Sequence, residues 1–178
     1  MIQRIQSVFL FIIAMLMLVI LFQPAWKNTG ILKKNNERVM IVLDPVNTTI
    51  NKVSGDGDSV QEDTTDPLNN PSFVEKKGNY YIGGLILLTA LNSLFVIFQY
   101  KKRMLQVKLS GLNYLLLSGT LVAYYLLIKD LNGLLTDAGK GQFLIGFYVP
   151  VIAILINFLV IRFIRKDEAL VRSVDRIR

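Results

Sequence analysis

The sequence contains neither cysteine nor histidine. Without cysteine there is no disulfide and no thiolate to bind a metal or act as a nucleophile, and without histidine there is no imidazole ligand for zinc or haem. The same two absences exclude the Ser-His and Cys-His arrangements of many hydrolases. We therefore expect a protein that is not an enzyme, and we predict no cofactor and no metal for it.

Charged residues are also scarce. They form 19% of the chain, against 52% hydrophobic residues and a mean hydropathy of +0.45. This composition is too apolar for an ordinary soluble domain, and 178 residues suit one small integral membrane protein. The formal net charge of +7 comes from cations that flank apolar runs, which is typical of membrane topology signals, so nucleic acid is not a predicted partner.

The last apolar run shows most directly how the chain meets a membrane. Residues 143–161 hold no charge, and Arg162, Arg165 and Lys166 follow immediately. A run of about 19 apolar residues matches the ~30 Å hydrocarbon core of a bilayer, and cations directly after it mark the cytoplasmic end. This span is therefore predicted to run from the outside to the inside.

Four spans are predicted, at about residues 5–23, 80–100, 111–128 and 143–162. For the first run a cleaved signal peptide is the alternative, but no small-x-small cleavage site follows it, which favours a retained helix. Pro24 ends that helix, and Trp26 takes the position of an interfacial aromatic residue. No Asp, Glu, Lys or Arg interrupts the spans before Arg162, which ends the last one, and this argues against a proton relay or an ion-coupled transporter.

Charge bias predicts that both termini lie in the cytoplasm. The loop after the second span carries Lys101, Lys102 and Arg103 without an acid, and the C-terminal segment adds Arg172 to its other cations. Short segments rich in Lys and Arg remain on the cytoplasmic side of a membrane. An even number of spans agrees with this assignment, and residues 24–79 then form an extracytoplasmic loop.

The extracytoplasmic loop carries one strand signal. Arg38–Leu43 is predicted to be a short β-strand, with residues 48–53 as a weaker partner across the turn at Asp44 and Pro45. Two strands alone are marginally stable, so the hairpin would need to pack on the helix ends or on a partner. The segment 54–70, which is rich in acidic residues, is interpreted as a solvated loop, with weak calcium binding as the alternative.

Both ends of the chain resemble one uncharacterised bacterial family. The resemblance is carried by Met1-Ile2-Gln3-Arg4-Ile5-Gln6 and by Ile164-Arg165-Lys166-Asp167-Glu168, Leu170-Val171-Arg172-Ser173 and Asp175-Arg176-Ile177-Arg178. The family is domain of unknown function 4293, which is described as small four-helix inner-membrane proteins, mostly from Bacteroidetes. The resemblance implies a bacterial inner membrane with the outer loop in the periplasm, and it implies no catalytic residues.

Polar residues within the spans form the first candidate site. Asn92, Asn113 and Asn157 fall in the cytoplasmic halves of three spans, and Gln6 and Ser93 lie in the same half of theirs. Polar groups that face lipid are unfavourable, so these side chains are predicted to point inward and to pair. Two interpretations stay open: contacts that fix the helices relative to one another, or a small inward-facing binding cavity.

Pro150 predicts a kink in the fourth span, because it removes the backbone hydrogen bond to the carbonyl of Gly146. Glycine at that position relieves part of the clash with the proline ring. The kink is interpreted as a packing feature, with a hinge as the alternative. Gly119 and Ala123 form a small-xxx-small pair, which predicts a close helix contact on the third span.

Residues 163–178 form a basic tail with an amphipathic pattern. If the tail is helical, Phe163, Leu170, Val174 and Ile177 share one face, while cations cover the remainder. Such a helix suits anionic lipid headgroups at the cytoplasmic face or a membrane-protein partner. The bilayer, these headgroups and such a partner are the binding partners that the sequence predicts.

Together these features predict an all-α membrane protein, a bundle of four transmembrane helices, with a small β-hairpin as one candidate structure for the extracytoplasmic loop. The predicted function is that of a non-catalytic structural or accessory subunit of the inner membrane. The alternative is a lipid or small-molecule binder or transporter that uses the polar cluster near the inner leaflet.

Overall fold

The computed structural model describes residues 2–33, 36–53, 73–99 and 103–175. The predicted acidic loop at 54–70 and the cations Lys101 and Lys102 lie outside the described residues. The helices of the described chain are α1 (Ile2–Ile20), α2 (Tyr80–Phe98), α3 (Arg103–Gly133) and α4 (Ile145–Asp175). α3 and α4 have 31 residues each, so both extend beyond the spans predicted from hydropathy.

The four helices pack side by side. α1 contacts α2 and α4, and α3 also contacts α2 and α4. On α1 buried side chains recur every three or four residues, at Gln6, Leu10, Ile13, Met17 and Ile20, and Ala14 on the same face is also buried. That spacing keeps one face of the helix turned toward its neighbours, so each helix contributes a stripe of side chains to a shared core.

Six antiparallel strands form one sheet: β1 (Trp26–Leu32), β2 (Arg38–Leu43), β3 (Asn47–Lys52), β4 (Phe73–Gly78), β5 (Leu135–Ala138) and β6 (Gln142–Phe143). The spatial order is β4-β3-β2-β1-β5, and β6 also pairs with β1. In the middle of the sheet Ile41 lies opposite Asn28 on one side and Ile50 on the other. Both isoleucines and Asn28 are buried, so this face of the sheet is the inner one.

The prediction of an all-α protein is wrong, because the described chain contains this six-stranded sheet in addition to its helices. The hairpin of β2 and β3 does occur across Asp44 and Pro45. The other four strands come from segments whose sequences lack regular apolar alternation; β1, for example, contains Lys27, Asn28 and Gly30. They become strands because pairing with a neighbouring strand outweighs weak local propensity. β1 and β4 pair with the two edges of the hairpin, and β5 and β6 pair with β1.

The sheet is joined to all four helices at one end. β1 follows α1, β4 precedes α2, β5 follows α3, and β6 precedes α4. Side chains reinforce these connections: Asn28 Nδ2 donates to Asn132 Oδ1 over 2.9 Å, and Lys33 Nζ donates to the carbonyl of Gly133 over 2.7 Å. The sheet is therefore connected to the helix ends both covalently, through the backbone, and by side-chain hydrogen bonds.

Trp26 is a core residue and not the interfacial aromatic residue that the sequence predicts. It is the first residue of β1 and is 1% exposed. A Cβ added at Gly141 would lie 2.6 Å from Trp26 Nε1, so a residue with a side chain cannot pass the indole there without a shift. Its position two residues after Pro24, at the end of the first apolar run, predicts a membrane interface, but the sheet formed at this point buries the ring.

Three helices are long and apolar enough to span a membrane, judged by length and composition: Tyr80–Phe98, Met104–Gly133 and Ile145–Ala169. In the described part of α1 the apolar stretch Gln6–Ile20 is shorter. Large apolar side chains cover the outward faces of the helices; Leu115, for example, is 69% exposed and Leu155 is 63% exposed. An exposed apolar surface of this kind is typical of helices that contact lipid or another protein.

Candidate functional site between the helices

Polar side chains occupy the buried face of α3 in the half that is far from the sheet. Buried positions recur along this helix at spacings of three and four, at Gln106, Ser110, Asn113, Leu117, Thr120 and Tyr124. This is the spacing of a helix face that packs against neighbouring helices. The first three positions are amides and a hydroxyl, so the core is most polar where α3 begins.

Asn113 lies at the centre of a chain of hydrogen bonds between α2 and α3. Asn92 Nδ2 donates to Asn113 Oδ1 over 2.9 Å, and Asn113 Nδ2 donates to Ser93 Oγ over 2.7 Å. Asn92 Nδ2 also donates to the carbonyl of Leu109, and Ser93 Oγ donates to that of Thr89. Asn113 and Ser93 are fully buried, so these bonds replace the ones that water would make.

α4 joins the same region through Asn157. Its Nδ2 donates to the carbonyl of Ser110 on α3 over 2.9 Å. About one helical turn further from the sheet, Gln106 Nε2 donates to the carbonyl of Val96 on α2 over 3.1 Å. One face of α3 therefore makes polar contacts with both of its neighbouring helices. We call the residues on this face and their partners the polar cluster: Asn92, Ser93, Gln106, Ser110, Asn113 and Asn157.

The polar residues that the sequence predicts to pair within the spans do not all contact one another. Asn92, Ser93 and Asn113 form one hydrogen-bonded group, and Asn157 is bonded next to it at Ser110. Gln6 is also buried, at 4% exposure, but its Nε2 has no hydrogen-bond partner among the described residues.

Sequence reasoning missed Gln106 and Ser110, which belong to the polar cluster. Helical spacing indicates both residues, since they lie seven and three residues before Asn113 and so share its helix face. The apolar run that defines the third span begins at residue 111, so hydropathy alone places both residues in the basic segment before it, which charge bias predicts to be a cytoplasmic loop. The structure places both residues within α3, which begins at Arg103.

The polar cluster is built from amides and hydroxyls, which do not ionise near neutral pH. Such groups donate and accept hydrogen bonds, whereas general acid–base catalysis uses groups that gain and lose protons near the working pH. The arrangement can therefore fix the positions of helices or hold a small polar molecule.

Gly146 and Pro150 both lie in α4, which continues through the proline. The close neighbour of Gly146 is the backbone that follows α1, because the Gly146 N–H donates to the carbonyl of Pro24 over 3.1 Å. A Cβ at position 146 would lie 2.8 Å from the carbonyl oxygens of both Gln23 and Pro24. This close backbone approach requires glycine for a reason that is independent of the proline.

Those of the predicted cytoplasmic cations that the structure describes lie on the helix ends far from the sheet. Arg162, Arg165 and Lys166 are exposed on α4. The backbones of Arg103 and Arg172 belong to α3 and α4, but their side chains lie outside the described residues.

The predicted tail begins as a continuation of α4. Phe163 stacks on Phe9 of α1 with ring centroids 6.0 Å apart, and Ile164 is 1% exposed. The protein itself therefore covers Ile164 fully and Phe163 in part. The side chains of residues 170–178, which complete the predicted apolar face, lie outside the described residues.

A second polar feature lies where the turn between β2 and β3 meets α2. The Asn79 N–H donates to the carbonyl of Val46 over 2.6 Å, and a Cβ at Gly83 would lie 3.3 Å from Val46 Cγ2. Burial at this junction raises the pKa of Asp44 above its ordinary value of 3.8, while the charge of Lys76 opposes part of that rise. The folded state therefore disfavours the ionised form of the Asp44 carboxyl group.

The family model described as Domain of unknown function (DUF4293) matches residues 2–177. The chain therefore belongs to this uncharacterised family, which confirms the resemblance found at its two ends. No curated protein matches the sequence.

Proposed function

We propose that this member of an uncharacterised family is a multi-pass protein of the bacterial inner membrane that acts as a non-catalytic structural or accessory subunit. In this proposal all four helices cross the membrane and both termini lie in the cytoplasm. The sheet then lies in the periplasm, directly on the outer ends of the helices.

The distribution of polarity over the helices supports a place in the membrane. Inward-facing Ser93, Asn113 and Asn157 are 0% exposed, whereas outward-facing positions carry leucine, valine and aromatic residues. A helix at the surface of a water-soluble protein has the opposite arrangement, with its polar face outside. Lipid as the surrounding solvent explains the pattern, because apolar side chains face it at no cost and the polar groups turn inward to pair.

The two ends of the helices differ in a way that supports the proposed orientation. Four tyrosines are exposed toward the sheet end: Tyr80, Tyr81, Tyr125 and Tyr148. At the opposite end the exposed residues include Arg162, Arg165 and Lys166. Tyrosine is enriched at membrane–water interfaces, and an excess of Lys and Arg is typical of the cytoplasmic side.

One observation carries the structural role: the side chains of Asn92 and Ser93 on α2 are hydrogen-bonded to the side chain of Asn113 on α3. A carrier needs polar groups that are free to meet a substrate and to change partners during transport. Ser93 and Asn113 are fully buried and bonded to each other, and the partly buried Asn92 is bonded to Asn113. Side chains bonded in this way hold two helices in one relative position. A scaffold of this kind suits a subunit that presents surfaces to other membrane proteins.

A second candidate function is a binder of a lipid or another small polar molecule near the inner leaflet. The observation that favours it is that Gln6 Nε2, Ser110 Oγ and Asn157 Oδ1 are buried and have no hydrogen-bond partner within the described residues. Buried polar atoms without a partner are uncommon, and a bound molecule is one way to satisfy them.

Purification from the native host separates these functions. The full-length tagged protein would be extracted in mild detergent or in native nanodiscs, and the retained proteins and lipids identified by mass spectrometry. An accessory subunit is expected to retain a partner protein in fixed proportion. Recovery of the chain alone would contradict the accessory role, and a lipid or metabolite retained in fixed proportion would support the binder.

Two variants test whether the basic end of α4 contacts the partner. Replacing Arg165 and Lys166 together by Gln removes two exposed charges on the proposed cytoplasmic side, and is expected to release the partner. Lys140→Gln is the matched control, because Lys140 is an exposed cation on the opposite side of the molecule. Retention of the partner by both variants would exclude a contact through these tail charges.

A further inference from the structure

A cavity of about 320 Å³ opens on the sheet, near the turn that joins β1 to β2. Its walls come from residues 29–31 of β1, Arg38 and Val39 of β2, Val53 after β3 and Gly139 after β5. Sites for small molecules in proteins have volumes of about 300–1,000 Å³, so this cavity has room for a small ligand.

The cavity lies on the face of the sheet that is turned away from the helices. Asn28 of β1 is buried on the inner face, and side chains alternate along a strand, so Thr29 and Ile31 belong to the outer face. The register places Arg38 opposite Ile31, and the Val53 N–H donates to the carbonyl of Arg38 over 3.0 Å. The cavity is therefore separate from the polar cluster between the helices.

The walls combine one cation with apolar side chains. Among the described residues that line the cavity, Arg38 alone is charged, and its side chain is exposed. The neighbouring Glu37 forms its ion pair with Lys52, over 2.8 Å. Ile31 is partly exposed and Val53 is 42% exposed, so both offer apolar surface beside the cation. A ligand that suits both parts of the wall carries one negative charge and an apolar group.

We infer that this cavity binds a small carboxylate that carries a branched apolar group. The planar guanidinium of Arg38 matches the two oxygens of a carboxylate, and the Thr29 hydroxyl can donate a further hydrogen bond. The apolar group of the ligand then covers Ile31 and Val53. A phosphate group fits less well, because it carries more negative charge and the walls supply one cation. In the proposed topology the cavity opens to the periplasm, and its ligand does not depend on the role of the helices.

Titration of isocaproate into the full-length chain in nanodiscs tests the site. We expect calorimetry to give a Kd in the millimolar range or tighter. Isocaproamide has the same shape without the charge, and acetate has the charge without the branched group. Each is expected to bind about tenfold more weakly than isocaproate, or worse. Absence of isocaproate binding at millimolar concentration, or equal binding of either control compound, would overturn the proposal.

Two variants show whether isocaproate binds in the cavity. Arg38→Gln removes the cation at an exposed position, so it is expected to weaken binding by about tenfold or more and to leave the melting temperature unchanged. Lys77→Gln is the matched control, because Lys77 is an exposed cation on β4, opposite Thr48 and outside the cavity. Its affinity for isocaproate is expected to equal that of the native chain.

Two results with these variants would contradict the site. Native affinity in Arg38→Gln would show that isocaproate dissolves in the lipid or binds elsewhere. An equal loss of affinity in Arg38→Gln and Lys77→Gln would show that the ligand responds to the overall positive charge of the sheet and not to the cavity.

Discussion

Asn92 on α2 donates a hydrogen bond of 2.9 Å to Asn113 on α3, and this contact joins two helices through side chains 21 residues apart in the chain. Asn113 in turn donates a hydrogen bond to Ser93, the residue after Asn92. The two residues of α2 therefore hold one amide of α3 from both of its ends. Sliding α3 along α2 would break both bonds at once, so the pair defines a single relative position of the helices.

Asn113→Leu is expected to destabilise the protein, because it removes both bonds while keeping a side chain of similar size. Interhelical hydrogen bonds in membranes contribute about 0.6–2 kcal/mol, so the expected loss is about 1–2 kcal/mol. The measurement is a thermal or denaturant unfolding curve in detergent. Asn92→Leu also removes two bonds, to Asn113 and to the carbonyl of Leu109, but it should cost less because Asn92 is only partly buried whereas Asn113 is fully buried. Equal stability of Asn113→Leu and the native protein would show that the bond contributes nothing.

Gly146→Ala is expected to destabilise the protein, because the new Cβ would meet the carbonyl oxygens of Gln23 and Pro24 at 2.8 Å. Moving backbone to relieve such overpacking costs about 1–3 kcal/mol. Gly119→Ala is the control, because nothing lies within 4 Å of a Cβ at that position and the change favours the helix by about 0.5–1 kcal/mol. Unfolding curves that rank the two variants the other way would contradict the packing of α4 against the end of α1.

Asp44 is expected to make stability depend on pH. Its pKa is raised in the folded state, so its contribution to stability is fully present below the ordinary pKa of 3.8 and is lost as the pH rises through the raised value. Asp44→Asn should therefore be more stable than the native protein at neutral pH, with the difference vanishing on acidification. Melting temperatures measured across that pH range provide the test.

Lys76→Gln provides the companion measurement for Asp44. The charge of Lys76 opposes the rise in the Asp44 pKa, so its removal should shift the loss of stability to higher pH. Removing that attraction should also lower stability at neutral pH. If Asp44→Asn and the native protein have the same pH profile, the carboxyl group does not have the raised pKa described above.

Single cysteines report the topology, since the natural chain has none. Lys140 and Lys166 are exposed at opposite ends of the helices, so Lys140→Cys and Lys166→Cys are suitable positions for a membrane-impermeant maleimide. Lys140→Cys is expected to be labelled in intact spheroplasts, and Lys166→Cys only after lysis. Labelling in the reverse order would place the sheet in the cytoplasm and contradict the proposed orientation.

A strand of the sheet could be predicted from the sequence only where its own residues alternate between buried and partly exposed positions. β2 has the sequence RVMIVL, in which buried and partly exposed positions alternate, and the expected strand has the observed bounds Arg38–Leu43. β1 has the sequence WKNTGIL and no comparable signal, although it lies between β2 and β5. Its pairing is set by its neighbours, because a backbone flanked by two strands gains hydrogen bonds that no single-segment pattern reveals.

The candidate site was also predictable only in part: the sequence indicates which residues need a partner, but not which partner each of them has. Asparagines in apolar runs stand out in the sequence because a polar group in such a run needs a partner. Which partner each one takes does not follow from the sequence: among the described residues, Asn113 bonds two side chains of α2, whereas Asn157 bonds the backbone carbonyl of Ser110. Those choices depend on the rotation and relative height of the helices, which are set by packing along their whole length.

By itself, the sequence determined where the apolar helices lie, that their interior carries amides, and that cations directly follow the second and the fourth apolar runs. These properties are local, because length, hydropathy and the spacing of residues along a helix need no knowledge of distant segments. The tertiary structure alone decided that a sheet covers the other end, where it buries Trp26 and requires glycine at positions 141 and 146. The physical reason is that backbone pairing joins segments more than a hundred residues apart, such as Trp26 and Phe143, and only the assembled helix ends bring them together.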